Sequence, residues 1–313
     1  MTKAGEEMGS VRWAFLCGSW RPSRSEWMLA NRCIQREERE RIGQFVFAKD
    51  AKSAMVSLTV NFGLSYCGTT TRAGRLLLRR FVCERMGIPW SEIRLERSPR
   101  GKPYLAAPLK VNTVRSDSGT EPPSWSFNLS HQGDYAVLAA EQGGQVGVDI
   151  MKNTMPGTSS VPEFFRIMTR QFTAYEWSVI QSAGSEHLQL AAFYRHWALK
   201  ESFIKAIGTG LGFNLQRVEF HLAPELLTQK HVQRQTKMHL DEEEEEDWIF
   251  EESLLDVDHH VAVALGPTDK TGSELFRPSL PPASSFALLS FSDLTASASP
   301  LTEEDPPAGT ASR

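Results

Sequence analysis

Along residues 193–212 the chain reads FYRHWALKESFIKAIGTGLG, and its apolar positions recur at helical spacing: Trp197, Leu199, Phe203, Ile204 and Ile207. Ala198 and Ala206 raise helix propensity, and Gly208, Gly210 and Gly212 stop the run. The apolar surface goes most of the way round, so this helix is expected to be nearly buried. Lys200, Glu201 and Lys205 interrupt it, with Glu201 and Lys205 four apart on one side. An ion pair on a solvated stripe is the ordinary account of such a spacing. Trp197 and Phe203 leave that stripe little width. A second acid, Asp149, stands in 145–150 (QVGVDI), which reads as a buried strand. One carboxylate on a strand and another on a helix can hold a hard divalent cation, with waters and substrate phosphates completing its shell.

The remaining pattern predicts a strand at 11–16, a helix at 23–31 and a second helix at 35–47, whose mixed charges lace a solvent face. Helical residues 51–55 should run into 73–82, but 56–72 (VSLTVNFGLSYCGTTTR) is rich in β-branched residues and glycine and reads as strand or loop. A strand at 93–96 leads into the basic turn RSPRGKPY at 97–104, where three cations and a glycine suit a phosphate group. Residues 125–140 read as a hairpin turning at 132–134. Helices are expected at 164–172 and 174–182, and strands at 218–222, 248–253 and 259–265, the last of these an edge strand beginning at His259 and His260. The acidic run 241–247 is expected to be a solvated loop, and 266–313 a mostly disordered tail in which 286–291 docks loosely.

DYAVLAA at 134–140 and HHVAVAL at 259–265 are similar in pattern, which points to an internal repeat. The fold class is α+β: two similar α+β lobes in pseudo-twofold arrangement with the active site between them. Their expected bounds are 1–155 and 156–265.

Composition narrows the function. The chain has 313 residues, 41% of them hydrophobic, enough for a sizeable core, and a net charge of −4 argues against a general nucleic-acid binder. Four cysteines without metal-ligand spacing suit reduced thiols, and neither a targeting pattern nor a membrane-length apolar run is present. A soluble, cytosolic monomer is expected. His259 and His260 lack partners at metal-ligand spacing, so no metal is assigned to them.

VGVDI at 146–150 together with WALKESFIKA at 197–206 resembles the 4'-phosphopantetheinyl transferases of the large Sfp type, over roughly residues 11–265. The resemblance implies transfer of the phosphopantetheine arm from coenzyme A to a serine of apo acyl-carrier or peptidyl-carrier domains, of the fatty acid synthase and aminoadipate-semialdehyde dehydrogenase types. It implies Mg2+ on Asp149 and Glu201, Glu201 taking the serine proton and Lys205 meeting phosphate charge. It further implies coenzyme binding by Arg41, by Arg97, Ser98, Pro99, Arg100, Gly101 and Lys102, and by Asn128, Leu129, Ser130 and His131, with the 3'-phosphate on Ser130 and His131. The family joins the two helical pieces around 56–72 directly, so that segment is expected to be an insertion. Bacterial members carry a second acid where this chain has Met151; a thioether is a poor ligand for a hard ion, and Gln132 is the candidate replacement. Two rival readings remain at this point: a non-catalytic nucleotide-binding scaffold disrupted by 56–72, and a Mg2+-dependent phosphohydrolase.

Overall fold

The computed structural model describes residues 9–40, 67–97, 103–106, 124–155, 157, 159–229, 231–267 and 283–303. Helices and sheets are mixed, an α+β fold. The chain divides into two compact units: Met1–Arg12, Pro123–Ser130 and Val137–Ala287 in the first, Trp13–Pro122, His131–Ala136 and Leu288–Arg313 in the second.

The first unit is built on a three-stranded antiparallel sheet. Strand β6 (Gln145–Lys152) pairs with β11 (His259–Gly266), which pairs with β10 (Ile249–Leu254). In register, Asp149 faces Ala262 and Met151 faces His260. Strand β11 is therefore central, a correction to the edge position expected from its two histidines. Both histidines are buried: His259 bonds Asp256 at 2.8 Å and His260 bonds Glu252 at 3.3 Å. Those contacts come from a turn and a neighbouring strand, which the pattern of β11 alone does not reveal.

Helix α5 (Glu186–Ile207) packs on this sheet. Ser185 caps it by accepting from the Leu188 N–H, and Gly208, at φ 69°, ends it in the left-handed conformation that glycine adopts without a Cβ penalty. Near its middle Arg195 grips Glu252 with two nitrogens at 2.8 and 3.0 Å. Burial alone would raise the Glu252 carboxyl; bonds from His260 and Arg195 outweigh it and hold the group at about 2. Helix α4 (Ala174–Ser182) and the antiparallel strands β7 (Val218–His221), β8 (Lys237–Leu240) and β9 (Glu243–Glu244) complete this part of the unit. The acidic run thus includes a hairpin strand, with Asp241 and Glu242 at positive φ in its turn.

In the second unit helix α1 (Arg24–Arg32) starts with a capping box, Ser23 with Glu26. Helix α2 runs from Cys67 to Met86, so residues 67–72 are helical where β-branched content predicts strand or loop. The correction has a tertiary cause: Arg72 is buried, donates to Asn31 at 3.0 Å and lies 4.3 Å over the Trp27 ring, tying this first part of α2 to α1. Residues 56–66, the rest of the expected insertion, lie outside the described residues.

The C-terminal stretch also departs from expectation. Residues 283–303 are ordered around the short helix α6 (Phe291–Thr295). Phe291 stacks on Trp20 at 5.0 Å, Leu294 is fully buried, and the backbone N–H groups of Leu289 and Leu301 donate to Ala14 and Arg32. Burying Leu294 contributes about 2 kcal/mol. Proline and serine content predicts disorder because composition does not register two well-placed apolar anchors.

Candidate active site

Strand alternation puts Gly147, Asp149 and Met151 on one face of β6, and α5 lies against it. The approach is close because residue 147 has no side chain: a Cβ there would stand 1.9 Å from the Ser202 carbonyl oxygen and 2.5 Å from the Ala206 nitrogen. Glycine is thus what brings the α5 carboxylate and amine down to Asp149.

The Asp149 carboxylate is buried and its two oxygens differ. Oδ1 accepts from the Ser130 hydroxyl at 2.8 Å and from Lys205 Nζ at 2.5 Å. Oδ2 is buried without a hydrogen-bond partner. Lys205 also donates to Ser130 Oγ at 3.0 Å and to the Val148 carbonyl at 3.3 Å. One turn earlier, Glu201 has its carboxyl pushed up to about 7, first by burial and then by the Asp149 charge, with Lys205 pulling the other way. Two acids near enough to repel, one of them with a buried and unpartnered oxygen, form a place where added positive charge is favoured.

Among the described residues no group of three His, Cys, Asp or Glu side chains is arranged to hold an ion. A pair of carboxylates still fits Mg2+, which keeps several waters and shares its shell with phosphates. The orphaned Oδ2 of Asp149 and the raised Glu201 carboxyl both agree with that donor set. Met151, on the same face, supplies no oxygen.

Strand β4 (Trp125–Gln132) supports β6 through its side chains. Ser126 Oγ accepts from the Val146 N–H at 3.2 Å, Asn128 Oδ1 accepts from the Val148 N–H at 3.1 Å, and Ser130 donates to Asp149. Asn128 and Ser130 are buried, and these bonds point them at β6. Leu129 is half-buried on β4; His131 is exposed and Gln132 half-buried at its end, both within the second unit. Arg97 closes β2 (Leu95–Arg97). Arg41, Ser98, Pro99, Arg100, Gly101 and Lys102 lie outside the described residues.

Lys200, marked in the sequence as a misplaced charge but given no role, is fully buried with Glu176 at 2.8 Å. Its Nζ also donates to the Leu215 and Val218 carbonyls at 2.8 and 2.5 Å. Glu176 in turn accepts from the N–H groups of Thr173 and Phe220 at 2.9 and 3.0 Å. The pair joins α4, α5 and β7 just beside Glu201. Lys200→Met leaves Glu176 as a buried charge without its cation and is expected to cost about 3–5 kcal/mol, read from denaturant midpoints. Adding Glu176→Gln should recover a large part of that loss; no recovery would mean that the pair does not act as a unit. Ser126, Gly147 and Glu176 are the supporting residues that sequence reasoning missed. Only the glycine in VGVDI carried a signal, as a small residue inside a strand.

Comparison with known proteins identifies the family. Residues 18–143 match the family description "4'-phosphopantetheinyl transferase, N-terminal", and residues 145–264 match the 4'-phosphopantetheinyl transferase superfamily. The L-aminoadipate-semialdehyde dehydrogenase-phosphopantetheinyl transferase of Xenopus laevis is 52% identical over 299 residues, covering 96% of this chain and 90% of that protein. Its Homo sapiens counterpart is 52% identical over 302 residues, covering 96% and 89%. A phosphopantetheinyl transferase from Thraustochytrium sp. is 36% identical over 260 residues, covering 81% and 77%. Similarity through nearly the whole chain, with Ser130, Asp149 and Lys205 joined in one cluster, does not favour a disrupted scaffold. Among the described residues no helix is long and apolar enough to cross a membrane. The chain belongs to the 4'-phosphopantetheinyl transferase superfamily, transferases that use coenzyme A as substrate and modify carrier-protein domains.

Proposed function

We propose that this enzyme modifies carrier domains of the aminoadipate-semialdehyde dehydrogenase and fatty acid synthase types, in the cytosol and as a monomer, with Mg2+ held by Asp149 and Glu201. The printed names of the most similar relatives support the first carrier type. The observation that carries the metal assignment is the buried, unpartnered Oδ2 of Asp149 beside a Glu201 carboxyl raised to about 7.

The reaction joins the carrier serine oxygen to the β-phosphorus of coenzyme A and breaks that phosphorus's bond to the bridging oxygen. The departing nucleotide, adenosine 3',5'-bisphosphate, takes the electron pair. Mg2+ at this position supplies Lewis-acid polarisation of the pyrophosphate and a template for it. Glu201 accepts the serine proton, the general-base role of a carboxylate held within reach of the attacking hydroxyl. Lys205, already close to Asp149, meets the charge that develops on the phosphates. Arg41, the turn at 97–102, and Asn128, Leu129, Ser130 and His131 are proposed to bind the coenzyme without taking part in the chemistry.

The test is mass spectrometry of an apo carrier domain from aminoadipate-semialdehyde dehydrogenase incubated with the enzyme and coenzyme A. The expected result is addition of one arm in the presence of Mg2+ and none in the presence of a chelator. Transfer unaffected by chelation would remove the metal assignment. Consumption of coenzyme A with the carrier unmodified would favour the phosphohydrolase reading.

A further inference from the structure

Arg79, on α2, is a cation in an unusual setting. It is fully buried, yet the three oxygens it donates to are all uncharged: the Trp90 carbonyl at 2.6 Å, the Ile93 carbonyl at 3.3 Å and Gln35 Oε1 at 3.3 Å. Its Nε is buried without a hydrogen-bond partner, and its guanidinium carbon lies 5.3 Å from the centre of the Trp90 ring. Burial pulls the group down to about 10 from its ordinary 12.5, with the Glu38 charge working against the fall. Hydrocarbon of similar volume would pack here without that desolvation cost.

What the guanidinium gains is a grip on one segment. Trp90 and Ile93 lie in the stretch between α2 and β2, and Gln35 extends the grip to β2 itself. Gln35 Oε1 accepts from the Leu95 N–H at 2.7 Å and Gln35 Nε2 donates to the Leu95 carbonyl at 3.3 Å, so both backbone groups of the strand's first residue are held. The Trp90 ring N–H donates to the Cys33 carbonyl at 2.9 Å, which fixes the start of the segment. Strand β2 pairs with β3 (Pro103–Leu105), Leu95 opposite Leu105 and Arg97 opposite Pro103. Arg97 is therefore only two residues, about 7 Å, along the strand from the clamped Leu95. All of these residues belong to the second unit.

We infer that Arg79 is a positioning residue for coenzyme binding: through Trp90, Ile93 and Gln35 it fixes the path of β2, and with it the point from which Arg97 meets the coenzyme. The inference rests on the coenzyme role proposed above for Arg97.

The test is a double-mutant cycle, read by calorimetric titration of coenzyme A into the full-length enzyme, with kcat measured at saturating coenzyme. Arg97→Ala is expected to weaken coenzyme A binding about 10-fold, through loss of a charge-assisted contact to phosphate. Arg79→Met should weaken binding by about the same factor while kcat stays within about two-fold of wild type, the pattern of lost binding rather than lost chemistry. The double variant should bind no more weakly than Arg97→Ala alone, because both changes remove one and the same contact. Damage spread through the unit would add to the first loss instead. Gln35→Met, which frees Leu95 from a half-buried position, should act like Arg79→Met and takes its place in the cycle if that variant does not fold. Additive losses, or wild-type affinity in Arg79→Met and Gln35→Met beside a weakened Arg97→Ala, overturn the inference. Wild-type affinity in Arg97→Ala overturns the coenzyme role of Arg97 itself, and this inference with it.

Discussion

Glu201→Gln is expected to lower transfer to a carrier domain by about a thousand-fold or more, because it removes a proton acceptor and one of two metal oxygens together. Coenzyme A binding should change little, since the residues proposed to hold the coenzyme are elsewhere. Carrier mass and coenzyme titration read the two effects separately; near-normal turnover would refute both roles. Stability should move the opposite way. In the folded protein the Glu201 carboxyl is raised to about 7 from its ordinary 4.5, so its favourable contribution is complete below about pH 4.5 and is lost as pH rises through 7. Above neutrality the metal-free wild type carries two repelling charges that Glu201→Gln lacks. The variant should therefore melt higher than metal-free wild type at pH 8, with the difference shrinking towards pH 4.5. A melting difference independent of pH would place Glu201 in a setting unlike the one described.

Gly147→Ala should be as damaging, by a different route. The new methyl would stand 1.9 and 2.5 Å from backbone atoms of α5, which cannot rotate aside as a side chain can. Either the helix lifts from β6 or the strand bends, and about 3 kcal/mol or more is lost. Lifting α5 carries Glu201 and Lys205 away from Asp149, so Mn2+ binding should fall along with the denaturant midpoint. Gly74, inside α2, has nothing within 4 Å of an added Cβ. Gly74→Ala should then be neutral or stabilising by up to about 1 kcal/mol. Equal effects at the two glycines would mean that close approach is not what position 147 requires.

Much of the local structure follows from the chain's own pattern. The alternating and continuous apolar runs of β4, β5 (Tyr135–Gln142), β6, β10 and β11 identify strands, and Ser23, Thr173 and Gly208 mark helix ends through chemistry that acts within a few residues. Asp149, Glu201 and Lys205 stand out because charge inside an apolar period is costly without a purpose. Local preference misleads where a distant partner outweighs it. The threonines at 69–71 weaken a helix only slightly, and Arg72 docked on Trp27 and Asn31 more than compensates. The serine- and proline-rich end is ordered by Phe291 and Leu294 seated against the second unit's own residues.

By itself, then, the sequence determined most of the strands and helices and their apolar faces, and it marked Asp149, Lys200, Glu201 and Lys205 as charges set in apolar surroundings. Tertiary structure alone decided that β11 is central, that Lys200 is spent on Glu176, and that the Ser130 hydroxyl points at Asp149. The physical reason is range. Periodicity and capping report free energies set within one turn or one pleat, whereas a hydrogen bond between residues 19 or 56 positions apart exists only once two elements have met at a particular distance and register.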